Sequence, residues 1–480
     1  MKTRPGWFKR SLRIPAAKVC GCAVSPRPGV RFLMRAALTV FPILTALVPG
    51  CPGRALTADL APEGQVQSQA EPRQTAAERR LNIDSFEHLW KTVNEKHFDP
   101  TFGGIDWKEV RLEFLPKIEA AANKNEARAV MRDMLARMKL THFSIIPSEL
   151  YEDMSPTGHG TEALGVTGIT ARVIGGHALV TSVDAESPAE QAGVKPGWEI
   201  IQIANHEVRP RMASIAGQFE GKTLKDLVLA DAVAGRLEGN IGERIAVSFL
   251  DESDRTVERS LTFMEPRGTK FQIGNLPPGR LRFHTRTIGT DIGYIVFNAF
   301  IAPAMLMPPF NEAMKSFMGA AGIIIDVRGN TGGQGDIVAG MAGWLIREKG
   351  KDLGKIQTRD QELKLVVRPR PEVYAGRVAI LVDGLSLCAT EIFADGLREL
   401  GRARIFGTRT GGAVLGGSIE KLPNGDGFMF PFANYITARG RILEGNGLAP
   451  DVEVNHTREA LLRGRDMILE AAIDWIRSRQ

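Results

Sequence analysis

The chain has 480 residues, 43% of them hydrophobic, enough for two or three domains with substantial cores. Its formal charge is +6, but the first 51 residues hold nine Lys or Arg and no Asp or Glu, which leaves 52 basic against 55 acidic residues beyond them and a net charge of −3. A mildly acidic body of this kind offers no basic field for nucleic acid.

Residues 1–51 have the layout of an export signal: a basic start, the apolar run 36–48, and Pro49-Gly50-Cys51. The run is short for a bilayer span, and Pro42 interrupts it. Gly50-Cys51 matches the end of a bacterial lipoprotein signal, which would place a lipid anchor on Cys51; an ordinary cleaved signal with an incidental Cys fits the same residues. Met34 offers a second start for a compact signal. Both versions predict an exported protein of the periplasm or cell envelope. Of the four cysteines (Cys20, Cys22, Cys51 and Cys388) only Cys388 lies beyond the signal.

Residues 52–80, rich in Pro, Gln, Ala and Glu, predict a flexible tether. Residues 81–150 predict a small helical bundle. Phe86, Leu89, Trp90 and Val93 recur at helical spacing, and further helices are expected from Trp107 to Ala121 and from Glu126 to Met138, capped by Asp106 and Asn125. Residues 155–268 change to short β-branched runs separated by Gly and Pro turns, with one short helix at 187–192. Residues 270–460 alternate buried strands (GYIVF, GIIIDV, VAILV) with helices at 304–318, 336–348 and 390–400, and a C-terminal helix is expected over 461–480. The fold class is multidomain α/β, with a helical bundle, a β-rich domain and a layered β–α core.

The segment Ser187-Pro188-Ala189-Glu190-Gln191-Ala192-Gly193-Val194-Lys195-Pro196-Gly197-Trp198 resembles a PDZ domain of bacterial proteases. That resemblance implies a carboxylate-binding loop near Leu164, Gly165, Val166 and Thr167, where backbone N–H groups would capture the C-terminus of a protein or peptide substrate.

Three segments resemble the C-terminal-processing (tail-specific) proteases and their tricorn-core relatives, whose catalytic core is of the layered ClpP/crotonase-like kind. In the first, Gly322-Ile323-Ile324-Ile325-Asp326-Val327-Arg328-Gly329-Asn330-Thr331-Gly332-Gly333, a buried strand runs into a glycine loop; the resemblance implies an oxyanion-hole donor at Gly332 or Gly333, with Ala389 supplying the other. A phosphate loop is disfavoured, because no Lys-Ser/Thr pair follows. In the second, Asp383-Gly384-Leu385-Ser386-Leu387-Cys388-Ala389-Thr390-Glu391, the family's nucleophilic Ser is replaced by Cys388. A Cys at a helix N-terminus is expected to have a lowered pKa. Cys388 as nucleophile, Ser386 in its place, and a site that has lost turnover all remain open at this point. In the third, Gly407-Thr408-Arg409-Thr410-Gly411-Gly412-Ala413, the position of the family's general-base Lys is Ala413.

The tricorn-like branch carries a His in the setting of His142, within Met138-Lys139-Leu140-Thr141-His142-Phe143, and a Glu in the setting of Glu444, before the closing Gly445-Asn446-Gly447-Leu448-Ala449-Pro450-Asp451. The resemblance therefore implies a Cys388–His142 pair assisted by Glu444, with no metal and no cofactor. The expected activity is cleavage of peptide bonds through a covalent acyl-enzyme. The alternative is an inactive homologue that binds peptides through the same groove.

Overall fold

The computed structural model describes residues 74–149 and 164–478. The expected export signal, Cys51 and most of the tether lie outside the described residues. Among the described residues no helix is long and apolar enough to cross a membrane.

The tether ends earlier than the composition suggests. The first helix is Ala76–Lys96, so residues 76–80 are helical rather than linker. Thr75 and Glu78 form a reciprocal capping box there, which satisfies two N-terminal N–H groups at once. Helices Trp107–Ala120 and Lys124–Ala136 follow, capped by Asp106 and by Asn123 rather than Asn125. Phe86, Leu89, Val93, Trp107, Phe114 and Met131 form their shared core, and Phe428 and Phe430 of the strand Gly427–Ile436 join it. The strand Ser144–Ile146 then pairs antiparallel with Gly427–Met429. Burial of the bundle thereby fixes the chain on which His142 lies to the edge of a sheet.

The β-rich domain is an antiparallel sheet ordered Ile169–Ile174, His177–Val183, Glu199–Ile203, Arg244–Leu250 and Thr256–Thr262. Helices Val208–Gln218 and Lys225–Ala234 pack on it, two helices that the β-branched pattern around them hides.

The core sheet is ordered Phe283–Ile288, Ile292–Phe297, Gly322–Asp326, Arg377–Val382, Arg404–Gly407 and Val452–Glu453; all neighbours after the first pair are parallel. Ile323 and Ile325 face one apolar layer, built with helices Pro303–Ser316, Gly335–Ala342 and Ala389–Glu399. Ile324 between them faces the other layer, closed by helix Met467–Arg477. That two-sided burial explains the continuous apolar runs of these strands. The expected C-terminal helix is split: Arg458–Leu462 stops before Gly464, and Asp466 caps the second piece. The glycine loop after Gly322–Asp326 and the Cys388 turn after Arg377–Val382 follow the carboxyl ends of the parallel strands, where open α/β sheets place their sites.

Candidate active site

Strand Arg377–Val382 ends in a turn, and Cys388 heads helix Ala389–Glu399 with φ +55° and ψ −118°. A non-glycine residue in that region costs about 1–3 kcal/mol and must be held by its surroundings. Glu391, one turn into the helix, supplies the hold. Its Oε2 accepts the Cys388 N–H at 3.0 Å and the Ala413 N–H at 3.0 Å, and its Oε1 accepts the Gly412 N–H at 2.9 Å and the Thr410 hydroxyl. Burial pushes the Glu391 carboxyl up to about 7, against the pull of those donors.

The glycine loop lies directly against Cys388. A Cβ on Gly332 would come within 2.7 Å of the Cys388 Cβ, and one on Gly333 within 2.1 Å of the Phe300 carbonyl oxygen. Only glycine permits so close an approach at φ +97° and +144°. The N–H groups of Ala389 and Gly333 act on the Cys388 thiol in the direction of a lower pKa. Gly332, the other candidate donor, is removed from the oxyanion assignment, because its N–H is spent on Asn330 Oδ1 at 2.9 Å. Asn330 also receives the Thr390 hydroxyl at 2.8 Å and donates to the Phe297 carbonyl at 2.9 Å, so one buried amide locks the loop to the helix of Cys388.

Two expectations about this turn are corrected. Ser386 cannot serve as the nucleophile in this arrangement: its hydroxyl is buried, donates to the Val327 carbonyl at 2.8 Å and accepts the Asp383 N–H at 3.0 Å. The Cys388 thiol does not have a lowered pKa. Burial, then the Glu391 carboxylate, pushes it up to about 12, and the Ala389 and Gly333 N–H groups do not offset this. A helix N-terminus stabilises an anion only as far as desolvation allows.

His142 is fully buried with φ +62°. Its Nδ1 pairs with the Thr141 hydroxyl at 2.8 Å, and its Nε2 has no hydrogen-bond partner. Burial lowers its pKa to about 4. Glu444 reaches both sides of the site. Its Oε1 accepts the Thr141 N–H at 3.0 Å and its Oε2 the Val414 N–H at 2.9 Å. Its carboxylate also stands near enough to Cys388 to raise the thiol, and burial raises its own pKa. Hydrogen bonds, joined by the Ala413–Val414 backbone, therefore connect the Thr141–His142 turn through Glu444 to Glu391 and the Cys388 N–H. Ala413, where a Lys base would stand, packs with Cys388, Leu387, Leu385, Leu227 and Ala230.

The segment Leu164–Thr167 is not an open loop. Gly165–Val166 pairs with Glu238–Gly239, and the Val166 N–H is spent on the Met264 carbonyl at 2.8 Å, so Val166 has no amide left for a carboxylate. Leu164 is exposed, Gly165 is buried, and the buried Thr167 hydroxyl has no partner. Sequence reading missed Glu391, Asn330, Thr390, Thr410 and Asp383. Glu391 alone left a signal, as an acidic residue three positions into a helix behind its first residue.

A buried sulfur at the start of a helix, with a glycine loop packed against its residue, is a candidate acyl-transfer site. Residues 291–454 match peptidase family S41, and residues 81–136 match the tricorn protease C1 domain. The carboxyl-terminal-processing protease of Synechocystis is 24% identical over 413 residues, covering 83% of this chain and 87% of the relative. The chloroplastic carboxyl-terminal-processing peptidase 3 of Arabidopsis thaliana is 26% identical over 398 residues, covering 76% and 67%. Among solved structures, the photosystem II D1 C-terminal processing protease shares the fold, with a TM-score of 0.51 at 21% identity, covering 81% of this chain and 97% of that one. Residues 291–454 are similar to peptidase family S41 and the curated relatives are carboxyl-terminal-processing proteases, so the protein is read as a peptidase that resembles this family.

Proposed function

We propose that this peptidase acts by thiol attack. Cys388 Sγ adds to the scissile carbonyl carbon while His142 Nε2 takes the thiol proton. The oxyanion is received by the N–H groups of Gly333 and Ala389. The imidazolium then returns the proton to the departing amine, and water hydrolyses the thioester. Both partners start neutral, because burial holds the thiol near 12 and the imidazole near 4. Proton transfer therefore accompanies attack rather than preceding it. Glu444 positions the Thr141–His142 turn, and the β-rich domain, read as PDZ-like, presents the C-terminal tail of a protein substrate. The basic, apolar N-terminal layout supports export to the envelope, with or without a lipid on Cys51. The single observation that carries the reading is the glycine loop packed against Cys388 and the Ala389 N–H at a strained helix start, where a Cβ on Gly332 would lie 2.7 Å from Cys388 Cβ and 2.8 Å from Ala389 N.

A second reading, a peptide-binding homologue without turnover, is favoured by one specific observation: Cys388 is 1% exposed, with an apolar Ala413 where a base would stand. One experiment separates the two: cleavage of an unfolded protein with a free apolar C-terminus by wild type, Cys388→Ala, Cys388→Ser and His142→Ala. Cleavage by wild type that both alanine variants abolish is the expected result. An inert wild type beside an active Cys388→Ser means a working site silenced by sulfur. Inert wild type and inert Cys388→Ser together sink the catalytic reading.

A further inference from the structure

Asp383 directly follows the strand Arg377–Val382 that leads to Cys388, and its two carboxylate oxygens have different work. Oδ1 accepts the Gly329 N–H at 2.8 Å, from the loop that becomes the oxyanion hole, and the Leu385 N–H at 3.1 Å, from the turn before Cys388. Oδ2 accepts Nε and Nη2 of Arg172 at 3.1 and 3.0 Å. Arg172 belongs to strand Ile169–Ile174 of the β-rich domain, 211 positions away. Gly329 has φ +68°, and a Cβ there would lie 2.9 Å from Arg172 Nη2, so the guanidinium packs directly on the loop backbone.

The pair is largely enclosed, with side-chain exposures of 22% for Arg172 and 14% for Asp383. It lines a cleft of about 950 Å³ together with Asp226, Arg328 and His456. Those neighbours do not replace it. Arg328 is held by Asp326 and Asp466, and Asp226 presses its carboxyl against Gly384. Neither residue touches the sulfur, so the pair acts on geometry rather than on the reacting atoms.

We propose that Asp383 and Arg172 are positioning residues for the cleavage reaction: Asp383 ties the oxyanion loop at Gly329 to the turn that carries Cys388, and Arg172 holds Asp383 in place from the β-rich domain. The inference rests on the peptidase reading. A displacement of about 1 Å at such a loop is enough for a hundredfold loss of rate.

The test uses the full chain and the variants Arg172→Ala, Arg172→Lys, Asp383→Asn, Asp383→Ala and Arg172→Ala/Asp383→Ala. Two readouts are taken: kcat and KM on the unfolded substrate, and hydrogen exchange of the Gly329 amide. Asp383→Ala lowers kcat about a hundredfold with KM within about twofold. Arg172→Ala lowers kcat about tenfold, and Arg172→Lys recovers part of that. Asp383→Asn falls between, because it keeps an acceptor for Gly329 and loses the charge for Arg172. The double variant is no worse than Asp383→Ala, since Arg172 works only through Asp383. The Gly329 amide exchanges faster in each single variant, while strand Gly322–Asp326 keeps its protection. Additive losses, an effect confined to KM, or an unchanged Gly329 amide overturns the proposal. If Asp383→Ala does not fold, Asp383→Asn and Arg172→Ala carry the same test. An inert wild type sinks the peptidase reading instead, and exchange at Gly329 still decides whether the pair holds the loop.

Discussion

The two halves of the site are built on opposite principles. Around Cys388, polar groups are tied down. Glu391 takes four donors, Asn330 bonds through both ends of its amide, and the Ser386 hydroxyl is held from two sides. Around His142, one nitrogen is paired and the other, buried, has no partner. A buried unpaired polar atom is costly and needs an explanation. Here the open valence belongs to the group that would take a proton. The contrast teaches that the side around Cys388 is held by saturated hydrogen bonds, while His142 keeps one buried nitrogen without a partner, the feature that the proposed proton transfer would use.

The contrast breaks most sharply if its two chemical ends are removed. Cys388→Ala and His142→Ala should each lower kcat by about 10⁴-fold on the unfolded substrate, with KM little changed. A loss under about tenfold for His142→Ala would assign the proton to another group.

The buried thiol comes next. With its pKa pushed up to about 12, Cys388 in the native protein should react with iodoacetamide about a thousandfold more slowly than a free thiol at neutral pH, and at the free rate in denaturant. Fast native alkylation would mean an ion pair, which this arrangement does not support.

Glu391→Ala strands the Cys388, Gly412 and Ala413 N–H groups together with the Thr410 hydroxyl, all buried. Urea unfolding should show a loss of about 3–4 kcal/mol. A loss below about 1 kcal/mol would say that water replaces the carboxylate.

The His142 ring should titrate near pH 4 rather than at 6.5, which nuclear magnetic resonance can follow. The folded pKa lies below the unfolded one, so the stability from burying a neutral ring is complete above 6.5 and is lost as pH falls through 4. That contribution is about 3 kcal/mol, and His142→Phe should remove the acid-side slope. A titration near 6.5 would place the ring in water.

The smallest effect sharpens the comparison. Gly417→Ala puts a Cβ 3.2 Å from His142 Cδ2. A turned imidazole should lower kcat about fivefold for about 1 kcal/mol of stability. An equal fall in a variant remote from the ring would point to general loosening.

By itself the sequence determined the three-part architecture, the buried parallel strands, the glycine loop and the Cys388–His142–Glu444 set as candidates. Those features are local: an apolar run, a turn residue or a spacing is written within a few positions. Only tertiary structure decided that Ser386 is a tied turn hydroxyl, that the Gly332 N–H is spent on Asn330, and that Glu391 and Asp383 tie the loops around Cys388. Each of those facts depends on which backbone group a side chain meets. Arg172 and Asp383 are 211 positions apart, and Thr141 and Glu444 are 303. The raised thiol pKa belongs to the same class. A helix start is visible in sequence, but the desolvation that outweighs it comes from Leu227, Ala230 and Ala413 closing over Cys388.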